Sequence, residues 1–281
     1  MAILLDGTKV AASILDRIKN TIKEGELTPS LAIVLCGEKP ESLLYTTMKQ
    51  KKATEIGITT KIHRFPEKVS QEELCLAITE LNPQVDGIII QLPLPKHLDQ
   101  TVILNSIELL KDVDGLTTES LGRVLKGDEE TAPATPRGII KLLEEYNLPV
   151  KGKKITIINH SNILGKPLAM MLTNRGATVT ICHEHTVELT SHTKQADILI
   201  SGIGIPQSIT GDMIKEGAVI FDVGISKVGD KIRGDVHGEE VQQKAAYLTP
   251  VPGGVGPVTV AMLLEKVVAV HCKKKTVKFI V

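Results

Sequence analysis

Residues 154–182 read KITIINHSNILGKPLAMMLTNRGATVTIC, and this stretch decides the fold. Its apolar run at Lys154–Ile158 predicts a buried strand, which a polar turn ending at Gly165 follows. Residues Pro167–Asn174 predict a helix and Thr178–Cys182 a second strand, which completes a βαβ unit. In such a unit the N–H groups and the positive dipole end of the helix face the turn and favour a phosphate. The turn has a single glycine where the usual G-x-G-x-x-G pattern has three, so a plain βαβ unit without a nucleotide is the alternative.

The same alternation of strands and helices extends in both directions from this stretch. Downstream it predicts strands at Ile198–Ser201 and Ala218–Val223 and a last helix at Val258–Val270. A linker-like stretch at Gly127–Pro136 precedes a predicted helix at Gly138–Tyr146. The upstream βαβαβ progression consists of strand Ser30–Leu35, helix Leu43–Ile56, strand Thr59–Phe65, helix Glu72–Leu81 and strand Gly87–Gln91. The predicted fold class is therefore α/β, with two α/β lobes.

Composition and charge narrow the classes of ligand. The chain has 281 residues, of which 42% are hydrophobic, enough for more than one core. Lysine plus arginine equals aspartate plus glutamate at 33 each, so we expect a small-molecule ligand and no nucleic acid. No segment approaches the run of about 20 apolar residues that spans a bilayer, and we expect no membrane contact. The N-terminal residues lack a basic leader and the four cysteines lie far apart, which indicates a cytoplasmic protein with free, buried thiols.

Polar residues after the second strand of the βαβ unit bear on the identity of the nucleotide. NAD enzymes place an acid here for the ribose 2′-hydroxyl, whereas NADP enzymes accommodate a phosphate. His160 and His183 favour NADP, and Glu184 disfavours it. Metal binding by His183, His185 and His192 is a further possibility, but their spacing is not that of a zinc motif, and surface histidines of a βα loop explain them more simply.

Three side chains of the first half are candidates for chemistry. Tyr45 and Lys49 lie four residues apart on a predicted helix, so they share one face. Gln91 follows an apolar strand at the carboxyl edge where open α/β sheets bind ligands. The plain alternatives are a solvated lysine-rich helix face and a glutamine that caps a strand. On the functional interpretation, the three side chains address one ligand.

Two further segments have residue types that suit a heterocyclic ligand. In Asp112-Val-Asp-Gly115 two carboxylates precede a glycine turn, and one of them could accept hydrogen bonds from the ring N–H and amino groups of a pterin. Thr249-Pro-Val-Pro-Gly-Gly-Val-Gly-Pro257 has three glycines, which let the backbone approach a ligand closely. A purely structural turn is the simpler alternative for the second segment.

Taken together, these pieces resemble the bifunctional methylenetetrahydrofolate dehydrogenase/cyclohydrolase family, from about Asp6 to Leu264. Six motifs occur in the family's order: Tyr45-x-x-x-Lys49, Gln91-Leu-Pro-Leu-Pro95, Lys111-Asp-Val-Asp-Gly115, Thr135-Pro136-x-Gly138, Asp222-Val-Gly-Ile225 and Pro252-Gly-Gly-Val-Gly-Pro257. Chance agreement of all six is remote.

The resemblance implies an organisation for the whole chain. A folate-binding catalytic domain at 1–135 would be completed by the C-terminal helix 258–281. A Rossmann-like nucleotide-binding domain would occupy 136–257, with the substrate cleft between the two lobes. Two subunits would form a homodimer through their nucleotide domains.

The resemblance also implies roles for individual residues. Lys49 looks like the cyclohydrolase lysine, Tyr45 and Gln91 like its partners, and Asp114 like the carboxylate that holds the pterin. Pro252, Gly253 and Gly254 resemble the folate-side wall. The expected cofactor contacts are Asn159, His160, Ser161, Gly165, Thr186, Gly202 and Ile225. No metal site is expected.

Three positions depart from the family's common pattern. Asn159-His160-Ser161 stands where many members have Gly-Arg-Ser, and Ser226 stands where they have asparagine. Ala134 replaces a common cysteine, which argues against a catalytic thiol. The expected cofactor is NADP, and NAD is the open alternative.

The predicted activity has two steps. Oxidation of 5,10-methylenetetrahydrofolate to the methenyl cation requires orientation over the nicotinamide more than an acid or a base. Hydrolysis to 10-formyltetrahydrofolate requires proton transfer, and a partly desolvated Lys49 could activate the water. The alternatives are a dehydrogenase without hydrolysis and a non-catalytic nucleotide-binding regulatory module. The complete set of Tyr45, Lys49, Gln91 and Asp114 speaks against the regulatory module.

Overall fold

The computed structural model describes residues 1–229 and 231–275, which form two compact units. The six-stranded unit comprises Met1–Ala11 and Val124–Thr259. The three-stranded unit comprises Ala12–Arg123 and, of the described residues that follow, 260–275. Both units contain a parallel sheet and helices, so the predicted α/β fold with two lobes is confirmed.

The helices and strands have the following bounds. The strands are β1 (Ile3–Leu4), β2 (Ser30–Cys36), β3 (Thr59–Phe65), β4 (Gly87–Ile90), β5 (Lys154–Ile158), β6 (Thr178–Cys182), β7 (Ile198–Ser201), β8 (Val219–Asp222), β9 (Ser226–Val228), β10 (Lys231–Arg233) and β11 (Tyr247–Leu248). The α-helices are α1 (Gly7–Glu24), α2 (Pro40–Glu55), α3 (Gln71–Leu81), α4 (Gln100–Leu104), α5 (Thr118–Leu125), α6 (Ala134–Glu145), α7 (Gly165–Asn174), α8 (Leu189–Thr193), α9 (Gly238–Lys244) and α10 (Val255–Lys275). Short 3-10 helices lie at Leu109–Lys111, Glu129–Thr131 and Gly211–Met213.

The three-stranded sheet has the order β3-β2-β4, with all strands parallel. Residues Leu31–Leu35 of the central strand are at most 1% exposed, because both faces of the strand are covered, as is usual for parallel sheets. Helix α3 covers part of one face with Leu74 and Ile78 and starts where the Ser70 hydroxyl accepts the Glu73 N–H at 3.1 Å. The sheet brings the carboxyl ends of its strands to one edge, where Gln91 follows β4.

The six-stranded sheet has the order β1-β11-β8-β7-β5-β6, again with parallel strands. The chain moves from β5 to β6 on one side and then crosses to β7 on the other side of β5. Such a reversal leaves a crevice outside the carboxyl ends of the two strands, where open α/β sheets bind ligands. In this unit the crevice lies beyond β5 and β7.

Every strand and helix predicted from the sequence is present, but the helices begin earlier than predicted, three of them by three or four residues. Helix α2 begins at Pro40, α6 at Ala134 and α10 at Val255. Each has a proline in its first turn, where the N–H group has no partner within the helix. The stretch Gly127–Pro136 is therefore not the predicted linker, since it holds a 3-10 helix and the first turn of α6.

The N-terminal residues contribute to the six-stranded sheet, which was not predicted from the sequence. Strand β1 pairs in parallel with β11, with Ile3 opposite Tyr247. A two-residue strand is too short to give an alternating pattern. The compact unit accordingly includes Met1–Ala11, whereas the domain expected from the resemblance began at 136.

Helix α10 corrects one expectation. At 21 residues it is long and apolar enough to cross a membrane by length and composition, although no such segment was expected from the sequence. In its most apolar window 61% of the residues are buried within the fold. Burial in a protein core accounts for this composition.

Candidate active site

Helix α2 presents Tyr45 and Lys49 on one face, as their spacing predicts. Both side chains are half-buried, whereas the neighbouring Lys51 and Lys52 are exposed, and Lys52 pairs with Glu55 at 2.8 Å. The lysine-rich segment is thus a solvated face except at Lys49.

Lys49 contacts Gln91 across the three-stranded unit. The Lys49 ammonium donates to Gln91 Oε1 at 3.1 Å, and Gln91 Nε2 donates to the Leu92 carbonyl at 2.8 Å. The second bond fixes the orientation of the amide, so that its oxygen faces Lys49. Gln91 is 8% exposed, which limits its freedom to turn away. The structure thus brings these two predicted residues together, with Gln91 holding the lysine.

The two carboxylates of the Asp112–Gly115 motif have different environments. Asp112 accepts the N–H groups of Gly115, Leu116 and Thr117 at 2.8–3.1 Å and the Ser120 hydroxyl at 2.6 Å. Four donors from the protein engage its oxygens, so Asp112 fixes the turn. Asp114 takes part in none of these four bonds, and it remains the carboxylate that the resemblance predicts for the pterin.

The charge of Asp114 depends on its surroundings. Burial raises the pKa of this carboxyl, and Lys49 opposes that increase by attraction. Asp112 raises the pKa further, whereas Lys266 of α10 lowers it. Lys266 was not predicted, because a lysine in an apolar helix gives no sign of which carboxylate it faces. The charge of Lys49 therefore bears on the protonation of Asp114.

The loop Thr249–Pro257 folds against the start of α1. Thr8 donates its N–H to the Gly253 carbonyl at 3.0 Å and its hydroxyl to the same oxygen at 3.3 Å. A Cβ on Gly7 would lie 1.8 Å from the Gly254 carbonyl oxygen, so only glycine permits this approach. Gly253 itself has φ +106°. The predicted folate-side residues therefore belong to a loop that the N-terminal helix holds in place.

The turn between β5 and α7 is organised by Asn159. Its Oδ1 accepts the N–H groups of Ser161 and Gly165 at 2.9 and 3.1 Å, and its Nδ2 donates to the Gly202 carbonyl at 2.6 Å. Asn159 thus joins the loops after β5 and β7 at the crevice of the six-stranded sheet. A Cβ on Gly165 would lie 1.8 Å from the Asn159 carbonyl oxygen. Four of the predicted cofactor residues are therefore brought together here.

The same turn fits the phosphates of a dinucleotide. Helix α7 has ten residues, and its first N–H groups are held by the turn itself: Asn159 Oδ1 accepts that of Gly165 and the Ser161 carbonyl accepts that of Lys166, both at 3.1 Å. Gly202 allows the chain to pass closely, since a Cβ there would lie 2.6 Å from Leu164. The positive dipole end of this helix, beside a glycine, still favours an anionic ligand.

The loop after β6 carries His183, Glu184 and His185. Thr186 accepts the His183 N–H at 2.9 Å and so closes this loop. His160 Nδ1 lies 3.6 Å from Glu184 Oε2, which joins the loops after β5 and β6. Throughout residues 1–229 and 231–275, no three His, Cys, Asp or Glu side chains are arranged to hold a metal ion.

A pair of buried aspartates organises the remaining cofactor loops. Asp222 accepts the N–H groups of Gly224, Asp235 and Val236 at 2.9–3.1 Å, and Thr249 Oγ1 accepts the Asp222 N–H at 2.8 Å. Burial raises the pKa of Asp222 to about 6 against these bonds, and the negative charge of Asp235 adds to the increase. This network places Ile225, which is 48% exposed, beside the carboxyl end of β8.

Asp235 was not among the residues predicted from the sequence. It accepts the Ser201 hydroxyl and the Ile203 N–H, both at 2.8 Å, and the Gly204 N–H at 3.0 Å. These bonds fix the loop that follows β7. Asp235 lies after the β9–β10 hairpin, outside any motif, so only its burial at 0% exposure reveals the role.

Comparisons with known proteins agree with this geometry. Residues 5–114 match the family model described as tetrahydrofolate dehydrogenase/cyclohydrolase, catalytic domain. Residues 133–275 match the model for the NAD(P)-binding domain of the same family. A bifunctional protein FolD of Nitratiruptor sp. is 46% identical over 278 residues, which cover 97% of this chain and 99% of the relative.

Solved structures give the same result. The FolD methylenetetrahydrofolate dehydrogenase/cyclohydrolase of Campylobacter jejuni is 42% identical, with a TM-score of 0.94 over 98% of this chain and 100% of that one. A Trypanosoma brucei enzyme, complexed with NADP and an inhibitor, is 32% identical, with a TM-score of 0.94 over 98% of both chains. The chain therefore belongs to the tetrahydrofolate dehydrogenase/cyclohydrolase family.

Proposed function

We propose that this chain is a bifunctional enzyme of one-carbon folate metabolism, with Lys49 as the residue that serves the hydrolytic step. The enzyme oxidises 5,10-methylenetetrahydrofolate to 5,10-methenyltetrahydrofolate with NADP and hydrolyses the product to 10-formyltetrahydrofolate. The main support for this role of Lys49 is its hydrogen bond of 3.1 Å to Gln91, which lies at the carboxyl end of β4.

Lys49 supplies proton transfer in the hydrolytic step. Its side-chain nitrogen takes a proton from the water that attacks the methenyl carbon and returns a proton as the C–N bond opens. Gln91 holds the nitrogen in position through its fixed amide oxygen. Tyr45, one turn away on the same face of α2, lines the folate site in this proposal.

Asp114 holds the pterin ring. Its burial favours the neutral acid, whereas Lys49 and a cationic substrate favour the carboxylate. As a carboxylate it accepts hydrogen bonds from the amino and ring N–H groups of the pterin. We assign Pro252, Gly253 and Gly254 to the folate side on the strength of the family resemblance and of their backbone, which is held by Gly7 and Thr8.

For the oxidative step the chain supplies position. When bound, NADP accepts a hydride from the methylene carbon, and the resulting cation is stabilised by its two neighbouring nitrogens. The α7 N-terminus and Ser161 would hold the diphosphate. Gly202 and Ile225, fixed by Asn159 and Asp222, would line the nicotinamide side.

Three finer assignments belong to the same proposal. The three-stranded unit is the folate-binding catalytic domain, and the six-stranded unit is the nucleotide domain. The protein is a cytoplasmic homodimer, for which the family resemblance is the support. Sedimentation equilibrium is expected to give twice the chain mass of 30.4 kDa, and a monomer mass would contradict the dimer.

One assay of the unmodified protein tests the proposed function. Methylenetetrahydrofolate is supplied with NADP or NAD, and nicotinamide reduction and methenyl decay are followed together. We expect reduction of NADP and decay of the methenyl product. Accumulation of a stable methenyl product would indicate a monofunctional dehydrogenase, and no reduction with either nucleotide would overturn the proposal.

A further inference from the structure

Three histidines and one glutamate meet at the carboxyl ends of β5 and β6. His160 Nδ1 lies 3.6 Å from Glu184 Oε2. The imidazole ring of His183 lies 5.1 Å from that of His160 and 5.8 Å from that of His185, measured between centroids. Two adjacent strands thus contribute four titratable groups to one small cluster, which we call the histidine cluster.

The position of this cluster is that of the ribose 2′ group in dinucleotide-binding βαβ units. Glu184 follows the second strand and lies about 20 residues beyond Gly165, the spacing at which such units place an acid for the 2′-hydroxyl of NAD. Enzymes that use NADP instead place a permanent cation there for the 2′-phosphate. This chain has the acid together with imidazoles.

The net charge of the histidine cluster depends on how many of its imidazoles are protonated. Lys166, in the first turn of α7, donates its ammonium to Asn162 Oδ1 at 3.0 Å, and Thr186 and Ser161 are uncharged. Lys166 keeps its positive charge in that bond, so the charged and titratable groups at this turn are Lys166, the three imidazoles and the Glu184 carboxylate. With neutral imidazoles the cluster is an anion, which suits a 2′-hydroxyl and repels a phosphate. With protonated imidazoles it is a cation, which suits a phosphate.

The exposure of the cluster leaves it open to solvent and ligand. The side chains of His160, Glu184 and His185 are 51%, 63% and 82% exposed. The backbone N–H of Glu184 and then the nearby His160, His185 and His183 lower the pKa of the Glu184 carboxyl. Glu184 is therefore ionised across the neutral range, and the imidazoles decide the sign of the cluster.

We propose that His160 and His185, beside Glu184, select between NADP and NAD according to protonation. His183 Nδ1 accepts the His185 N–H at 3.1 Å, so this ring holds the loop. Binding of the 2′-phosphate takes up protons at the imidazoles, whereas binding of the 2′-hydroxyl uses Glu184 directly. The preference for NADP over NAD therefore decreases as the pH rises. This inference rests on the proposed function, because it requires the nucleotide at this turn.

Equilibrium binding provides the test. The dissociation constants of NADP and of NAD are measured by calorimetry with the intact protein between pH 6 and pH 8. The ratio of NADP to NAD affinity is expected to fall by roughly tenfold or more over this range, because the positive charge that attracts the 2′-phosphate is lost as the pH rises. Calorimetry in two buffers of different ionisation enthalpy should show more proton uptake on binding NADP than on binding NAD.

Two variants isolate the cluster. The double variant His160→Arg/His185→Arg supplies permanent cations, so its preference for NADP should no longer fall with pH. If the NADP affinity of this variant instead rises with pH, the rise reports the second ionisation of the 2′-phosphate itself, near pH 6. Glu184→Gln should strengthen NADP binding and weaken NAD binding, whereas the control Glu216→Gln, an exposed residue before β8, should change neither.

The outcomes separate this inference from the proposed function. If both nucleotides bind the unmodified protein with a ratio that is independent of pH, the cluster does not select, and the proposed function stands. Equal effects of Glu184→Gln and Glu216→Gln would also overturn the inference. If neither nucleotide binds, the nucleotide site itself is wrong, and both proposals fail.

Discussion

The chemistry assigned to Lys49 depends on neighbouring side chains that hold the reactive groups in position. Gln91 is oriented by its own bond to the Leu92 carbonyl, and this bond in turn presents the amide oxygen to Lys49. Asp112 accepts backbone N–H groups of the turn that follows it and so fixes this turn. Gln91 and Asp112 thus hold the positions of Lys49 and of the turn that contains Asp114.

Replacement of Gln91 by Glu tests the contact with Lys49. A carboxylate in place of the amide would favour the charged form of the lysine, since an opposite charge at this distance stabilises the ammonium. We expect a lower rate of hydrolysis at pH 7 and a pH profile that moves up by about one unit. The dehydrogenase rate should change much less. A pH profile of hydrolysis that does not move would contradict the contact.

Asp222 gives a pH dependence of stability with a definite sign. Its pKa in the folded protein is about 6, above the ordinary value of 3.8, mainly because of burial. The folded state therefore binds the proton more tightly than the unfolded state does, and stability is lost as the pH rises from about 4 to 6. The full change is on the order of 3 kcal/mol.

Urea denaturation of the unmodified protein and of Asp222→Asn measures this effect. The variant places an amide N–H₂ against backbone donors and should be less stable at pH 4. The difference between the two proteins should narrow by pH 7, because only the unmodified protein bears the cost of ionisation. A difference that widens with pH would show that the buried carboxylate stabilises the fold.

The sequence predicts the candidate catalytic and binding residues better than it predicts the residues that fix the surrounding loops. Lys49, Gln91 and Asp114 belong to motifs, and the structure brings Lys49 and Gln91 together as predicted. Asp235 carries no motif, and its role depends on bonds to loops more than thirty residues away in sequence. Such contacts follow from tertiary packing, which periodicity does not encode.

At the scale of elements, the first turn of α1 supports the glycine loop. Gly7 allows the Gly254 carbonyl to pass at a distance that no side chain would permit. From the glycines of the loop, the sequence predicts that the loop backbone approaches a neighbour closely. It does not reveal that this neighbour is a helix from the other end of the chain.

Replacement of Gly7 by Ala tests this support. The added Cβ would overlap the Gly254 oxygen, so the loop must shift. We expect the KM for the folate to rise by about tenfold or more in both activities, because a displacement of about 1 Å can cost two orders of magnitude. An unchanged KM would show that the loop does not contact the folate.

Gly122→Ala is the matched control. Gly122 lies in α5, and a Cβ added to it would meet no atom of the described residues within 4 Å. The substitution should leave KM unchanged and stabilise the protein by about 1 kcal/mol, because alanine is the better helix former.

Prolines explain the main errors in helix bounds. Pro40, Pro136 and Pro257 each lie in the first turn of a helix, although a proline read from sequence suggests a boundary. Strands β5 and β6 have the predicted bounds, because a polar residue, Asn159 or His183, marks where each of them ends. Bounds are thus predictable where composition changes sharply.

At the scale of the molecule, the last helix is bound to the three-stranded unit by a buried charge. Asp86, which is 7% exposed, accepts His271 Nδ1 at 2.8 Å and the Lys274 ammonium at 2.9 Å. It also accepts the N–H and the hydroxyl of Ser30 at 3.0 Å. Burial alone would raise its pKa, but the bonds from Lys274, His271 and Ser30 prevail and lower it to about 2.

Asp86→Asn should therefore destabilise the protein. Because Lys274 is 46% exposed, the loss at pH 7 should be roughly 2 kcal/mol, less than for a fully buried pair. The contribution of Asp86 is present above pH 3.8 and lost as the pH falls toward 2, so the difference should shrink in acid. Urea denaturation at pH 7 and pH 3 measures it, with the exposed Asp16→Asn as control. A difference that grows in acid would contradict the anchor.

The sequence alone does not determine which of the two lobes the last helix packs against. An apolar helix after a glycine-rich loop can pack on either lobe, and the preference for the first lobe came from the family resemblance. The partners that decide the matter, Asp86 and His271, are separated by most of the chain. Their pairing is visible only in the folded protein.

The central claim is that Lys49 serves hydrolysis and not hydride transfer. The most direct measurement follows NADPH formation and methenyl decay together in Lys49→Met, with Lys51→Met on the exposed face of α2 as control. We predict that hydrolysis falls by about a hundredfold or more while NADP is still reduced, so that the methenyl compound accumulates. Hydrolysis at the unmodified rate in Lys49→Met would contradict the account.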